Sequence, residues 1–167
     1  MKNTFVQITV ILILVFISES RVYCQSFIYS KYQDLNGNYV TLDEIKGEKL
    51  TILDFWATWC KPCVKSIPEN LKIATEFAND GVAVIGVNED SPRNLSKVRP
   101  FANSLGINYT VILDPDQDIM SELAVSVLPT FIILNPEGKI VYTHEGFISG
   151  DEIIIRNKIE ELISDVD

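Results

Sequence analysis

Histidine occurs once in this chain of 167 residues, at position 144, and cysteine only three times. One histidine and so few thiols fall short of the usual ligand sets of zinc or copper centres. An odd number of cysteines also argues against a framework of structural disulfides. Basic residues are scarce: 14 Lys and Arg stand against 23 Asp and Glu, for a net charge of −9. That balance argues against nucleic acid, or an anionic membrane face, as a partner. Internal repeats, low-complexity tracts and interdomain linkers are absent, so residues 25–167 read as a single domain large enough to bury a core.

The apolar stretch Thr4 to Ile17, broken by Gln7 and Thr9, is short of the roughly 20 residues a membrane span needs. It follows a charged start, Met1-Lys2, and precedes two candidate cleavage sites, Ser18-Glu19-Ser20 and Val22-Tyr23-Cys24. Residues 1–24 therefore read as an export signal, with an uncleaved N-terminal anchor as the other reading. Cleavage after Cys24 would remove the odd thiol, and cleavage after Ser20 would leave it near the new N-terminus. The bulky Tyr23 argues against lipid modification of Cys24.

The remaining pair, Cys60 and Cys63, lies where the apolar strand Leu50 to Trp56 gives way to a helical pattern. Residues i and i+3 of a helix share a face, with β-carbons about 5–6 Å apart, so a short rearrangement brings two thiols to disulfide geometry. A cysteine at a helix start faces free backbone N–H groups and the positive end of the macrodipole, both of which favour thiolate; Lys61 adds a cation. Cys60 is thus the expected attacking sulfur and Cys63, one turn in, the resolving one. Pro62 suits a first helical turn, where its missing N–H is not needed. Asp54 interrupts the apolar strand between Leu53 and Phe55. Desolvation there would raise its pKa and let it take and return a proton; an Asp satisfied by local backbone at a frayed strand end is the alternative.

Strand and helix patterns alternate, as in an α/β sheet. A hairpin over Tyr29 to Leu42 is expected to turn at Asn36-Gly37. A helix from about Cys60 to Asn79 follows the first long strand, with a kink predicted at Pro68. After strand Val82 to Val87, a helix is predicted with Ser91-Pro92 as cap and first position, broken at Pro100 and closed by Gly106. A strand Thr110 to Leu113, a helical turn around Asp118 to Leu123, and a hairpin of Thr130 to Leu134 with Ile140 to Gly146 come next. Ser149-x-x-Glu152 is read as the cap of a last helix to about Ser164. His144, in a predicted strand, reads as a satisfied surface residue.

The segment Asp54 to Cys63, with Trp59-Cys60-Lys61-Pro62-Cys63, resembles the active-site segment of thioredoxins, and the setting is similar to the TlpA/ResA branch of exported or membrane-associated thiol-disulfide oxidoreductases. Leu128-Pro129-Thr130-Phe131, the turn Asn135 to Lys139 and the hairpin at Asn36-Gly37 extend the likeness from about Phe27 to the C-terminus. The resemblance implies a thioredoxin fold: a central mixed β-sheet flanked by helices, with an N-terminal β-hairpin and an inserted helix–strand segment over about Ser91 to Ala124. It implies that Cys60, Cys63 and Asp54 carry catalysis and that Trp59, Pro62, Leu128 and Pro129 border the substrate. Statistics of X-Pro bonds alone say trans for Leu128-Pro129; the resemblance implies cis, with the Leu128 backbone free to pair with an extended substrate segment.

The expected partners are protein disulfides and a membrane-linked dithiol donor, on the extracytoplasmic face of a membrane or in a bacterial periplasm. No metal or organic cofactor is implied, and a monomer is expected. Two departures limit the analogy: Asp54 stands where many of that branch carry Asn, and Ser66 where many carry Glu. A thiol peroxidase on the same fold remains as a rival, against which stands Ala57 in place of the threonine of a Thr-x-x-Cys setting. A non-catalytic binding module is the other.

Overall fold

The structure, a computed structural model, describes residues 26–165. The proposed signal or anchor, residues 1–24, and Cys24 with it, lies outside the described residues. A short helix α1 (Ser26–Tyr29) leads into the hairpin β1 (Tyr32–Asp34) and β2 (Tyr39–Val40), then helix α2 (Leu42–Ile45) and strand β3 (Leu50–Trp56). Helix α3 (Lys61–Glu76), a 3-10 turn (Ala78–Asp80), strand β4 (Val82–Asn88), helix α4 (Leu95–Ser104) and strand β5 (Thr110–Leu113) follow. Helix α5 (Asp118–Glu122), strands β6 (Thr130–Leu134) and β7 (Ile140–Glu145), and helix α6 (Asp151–Ser164) complete the chain.

The seven strands form one sheet in the order β2-β1-β5-β4-β3-β6-β7. β3, β4 and β5 run parallel, and the hairpins at both edges join antiparallel. Because side chains alternate across a strand, β3 sends Leu53 and Phe55 to one face and Leu50, Ile52, Asp54 and Trp56 to the other. The first face packs under Phe27, Ile28, Leu42 and Ile119. The second packs under Ile73, Phe77, Ile155 and Ile159, and, towards Trp56, under Ile67, Val98 and Ala102. All seven residues of β3 are buried, and each fully buried aliphatic or aromatic side chain contributes about 1.5–3 kcal/mol. That continuous burial is what makes a carboxyl at Asp54 conspicuous.

Several boundaries differ from the sequence reading for identifiable reasons. The hairpin is shorter, because residues 26–29 form helix α1 instead; its turn is as expected, with Gly37 at φ 85°. Helix α3 ends at Glu76 and passes through Pro68, and α4 passes through Pro100. Both prolines are exposed, so the carbonyl each leaves free is on the side where water can satisfy it. Ser91 does not cap α4: its carbonyl accepts from Asn94 N at 2.8 Å, closing a turn that sets Asn94 as the cap. Ser149 does not cap α6 either. Gly150, at φ 108°, holds that position, while Asp151 and Glu152 reach back to the N–H groups of Ile148 and Gly150, each at 2.8 Å.

Candidate active site

The three parallel strands end together: Trp56 pairs with Asn88, and Asn88 with Leu113. The loops beyond the carboxyl ends of parallel strands are where such sheets build their sites. Ala57 to Cys60, Glu89-Asp90 and Asp114 all lie here. Asp90, fully buried, accepts from Thr58 N (2.7 Å), Thr58 Oγ1 (2.7 Å) and Asn88 Nδ2 (3.0 Å), and Glu89 N donates to Trp56 O at 2.9 Å. The backbone leading to Cys60 is thus tied to the end of β4.

Cys60 is the N-cap of α3, and its sulfur accepts from Cys63 N at 3.2 Å. The two form a disulfide with Cα atoms 5.3 Å apart. Pro62 occupies the first turn and is exposed, and Trp59 is 62% exposed, whereas Cys60 and Cys63 are 4% and 0%. The inserted segment supplies the wall behind the sulfurs: Val98 and Ala102 of α4 pack in the same cluster, and Phe101 stacks on Trp56 with centroids 6.3 Å apart. Leu128 also packs against this cluster. The Leu128-Pro129 bond is cis, Pro129 is buried, and its carbonyl accepts from Gly146 N at 2.8 Å.

Asp54 is fully buried on the face of β3 that α3 covers. Its pairing partners explain the space it occupies. Phe131 of β6 lies on one side, and Gly86 of β4 on the other. A Cβ at Gly86 would lie 3.0 Å from Trp56 Nε1 and 3.2 Å from Tyr109 Cε2, so glycine lets both rings pack closely over β4. The Tyr109 hydroxyl donates to Asp54 Oδ2 at 3.2 Å, and Asn70 Nδ2 of α3 donates to the same oxygen at 2.8 Å. Desolvation pushes the Asp54 carboxyl up to about 6, against the opposing pull of these two bonds. Burial and the Asp54 charge hold the Tyr109 phenol well above its ordinary value, so it stays a donor.

A second acidic pair borders the loop. Glu89 and Asp114 are both 2% exposed. Desolvation, then the charge of Asp114, pushes Glu89 up to about 9. Asp114 is raised by burial against the pull of three amides, Asp118 N (2.9 Å), Ile119 N (2.9 Å) and Met120 N (3.1 Å), which it caps at the start of α5. His144 takes no part in the site: its Nε2 is 3.1 Å from Asp151 Oδ2, tying β7 to α6.

Asn70, Tyr109, Gly86 and Asp90 escaped the sequence reading. Asn70 carried a usable signal, since an amide seven residues from Cys63 falls on the buried face of α3 that Ile67 and Ile73 share. An isolated Gly86 within a strand signals a close approach, though not by what. Tyr109 carried none, because its partner is 55 residues away.

The model of the AhpC/TSA family matches residues 25–143. The chain belongs to that family. It is similar to the thiol-disulfide oxidoreductase ResA of Bacillus subtilis, 38% identical over 114 residues, which are 68% of this chain and 62% of that protein. It is 36% identical to the thioredoxin-like protein YneN of the same organism over 120 residues, 71% of this chain and 69% of that one. The solution structure of an uncharacterized thioredoxin-like protein from Porphyromonas gingivalis superposes with a TM-score of 0.71 at 31% identity, covering 87% of this chain and 95% of that one. The expected thioredoxin fold is therefore the fold observed. The chain spans between 61% and 63% of the length of the first three ResA relatives it matches.

Proposed function

We propose that this protein is an extracytoplasmic thiol-disulfide oxidoreductase that reduces protein disulfides through Cys60 and Cys63. The observation that carries the reading is the disulfide at the start of α3, with the Cys60 sulfur in the N-cap position. In the reduced protein that position favours thiolate at Cys60. The Cys60 thiolate attacks one sulfur of a substrate disulfide, forming a mixed disulfide and releasing the other substrate sulfur as thiolate. Asp54 takes the proton of Cys63; the Cys63 thiolate then attacks Cys60 Sγ, the Cys60–substrate bond breaks, and the second substrate sulfur leaves as thiolate. The substrate gains two electrons and the pair is oxidised. Reduction of the resulting disulfide by a membrane-linked dithiol donor closes the cycle.

Support for the substrate face comes from the exposed Trp59 and Pro62 beside the sulfurs and from Leu128, whose backbone can pair with an extended substrate segment. Export by residues 1–24, cleaved or kept as an anchor, would deliver the domain to its donor. The test is mixed-disulfide trapping with an unfolded disulfide-bonded protein. Cys63→Ser should accumulate a complex through Cys60, and Cys60→Ser almost none; equal yields from both would overturn the assignment. Consumption of peroxide without turnover of the disulfide substrate would transfer the site to the peroxidase reading.

A further inference from the structure

Asp54 Oδ2 receives two hydrogen bonds, from Asn70 Nδ2 at 2.8 Å and from the Tyr109 hydroxyl at 3.2 Å. Asp54 Oδ1 is buried and receives none from the described residues, and the same is true of Asn70 Oδ1. Two acceptor oxygens here are thus without a donor among the described residues, and Trp56 Nε1, on the same face of β3, is a buried donor without an acceptor. A carboxylate oxygen already saturated by two donors is a poor proton acceptor; its bare partner is the better one.

We infer that Asp54 accepts its proton on Oδ1, and that Tyr109 and Asn70 are positioning residues that fix the carboxyl through Oδ2 and stabilise its charged form. This rests on the oxidoreductase reading, since the proton concerned is that of Cys63. Cys63 Sγ–H loses a proton, Asp54 Oδ1 gains it, and the proton leaves to solvent when the carboxyl reionises. The groups around Asp54 support a two-donor scheme. β4 sets Gly86 beside it, β6 sets Phe131 on the other side, and α3 gives Asn70. Tyr109 is the one titratable group hydrogen-bonded to Asp54 among the described residues, and it stays protonated. Gly86 eases this packing, since a Cβ there would come to 3.2 Å from Tyr109 Cε2 and the ring would have to give way by a few tenths of an ångström.

Tyr109→Phe keeps the ring and removes one donor to the carboxylate, so the Asp54 midpoint must rise. A hydrogen bond to a charged group corresponds to a shift of about one pH unit. Two readouts test it: the Asp54 carboxyl titration by carbon-13 NMR, and the pH profile of mixed-disulfide release. Both should move up by that amount, and in an Asp54→Asn background Tyr109→Phe should leave the release profile where it was. An unmoved NMR midpoint, or a profile shift that persists without the Asp54 carboxyl, overturns the inference. If Tyr109→Phe does not fold, Asn70→Ser is titrated instead; a midpoint that fails to rise is equally fatal. A neutron structure of crystals held below the midpoint should carry deuterium on Oδ1, and deuterium on Oδ2 overturns the atom assignment. The NMR readout needs no turnover. A shifted midpoint in a protein that exchanges no disulfides therefore strikes the oxidoreductase reading and not the role of Tyr109.

Discussion

A carboxyl group in the position of Asp54 opposes folding at neutral pH. Its pKa is raised from 3.8 to about 6 by desolvation. Between those values the folded state binds more protons than the unfolded one, so stability is fully present below the unfolded pKa and declines as pH rises through the folded one. At neutral pH the deficit is on the order of 3 kcal/mol. Asp54→Asn, close to isosteric, should gain on wild type in chemical denaturation as pH is raised from 4 to 7, and should also slow release of substrate from the mixed disulfide. A variant less stable at neutral pH that exchanges thiols at the wild-type rate would make Asp54 a structural residue. The sequence exposed this group because one charge in an apolar strand contradicts the strand's own pattern. It could not expose Asn70 or Tyr109 as its partners, because they come from a helix and from the lead into another strand, and only the parallel register of β3, β4 and β5 brings them together.

Among elements, legibility followed how local the deciding forces were. β3 and β5 were read with their observed ends, since a run of apolar residues bounded by polar ones leaves little choice. The helix starts were misread where a turn or a neighbouring carboxylate competes for the same N–H groups, at Ser91 and Ser149. The same competition gives the Cys60 loop its fixity. Asp90 is buried and accepts three bonds, two of them from Thr58. Asp90→Ala leaves those buried donors unpaired, at about 1–3 kcal/mol each for the ones that water cannot reach. The expected result is a lower thermal midpoint, with alkylation of Cys60 in the reduced protein losing its sharp pH dependence as the loop and cap loosen. A variant with a lowered midpoint but an unaltered alkylation profile would confine Asp90 to stability.

On the scale of the whole molecule, the inserted segment does more than lengthen the chain, because α4 walls the disulfide while the lead to β5 delivers Tyr109 and the end of β5 delivers Asp114. The sequence located this segment but could not show that it brings a second acidic group against the carboxyl end of β4. Glu89 is pushed from 4.5 up to about 9 by burial and by the charge of Asp114, so at neutral pH it is held protonated in the fold and ionised in the unfolded chain. Folding then takes up a proton, and stability from this group is present below 4.5 and lost as pH rises towards 9, with a slope of up to about 1.4 kcal/mol per pH unit. The chain's net charge of −9 acts in the same direction by self-repulsion. Glu89→Gln keeps the size and shape of the side chain and removes the titration. Denaturant unfolding at fixed ionic strength should give nearly matching stabilities at pH 4.5, diverging in favour of the variant towards pH 9. High salt should reduce the shared decline from net charge but leave the difference between the two proteins, because the pair is buried and little screened. Parallel curves across the range would mean that Glu89 is ionised in the fold and that another group neutralises it. In wild type, ionisation at alkaline pH sets two carboxylates against each other where α5 is capped and where Glu89 N holds the end of β3, so the loop that leads to Cys60 should loosen in the same pH window in which stability falls.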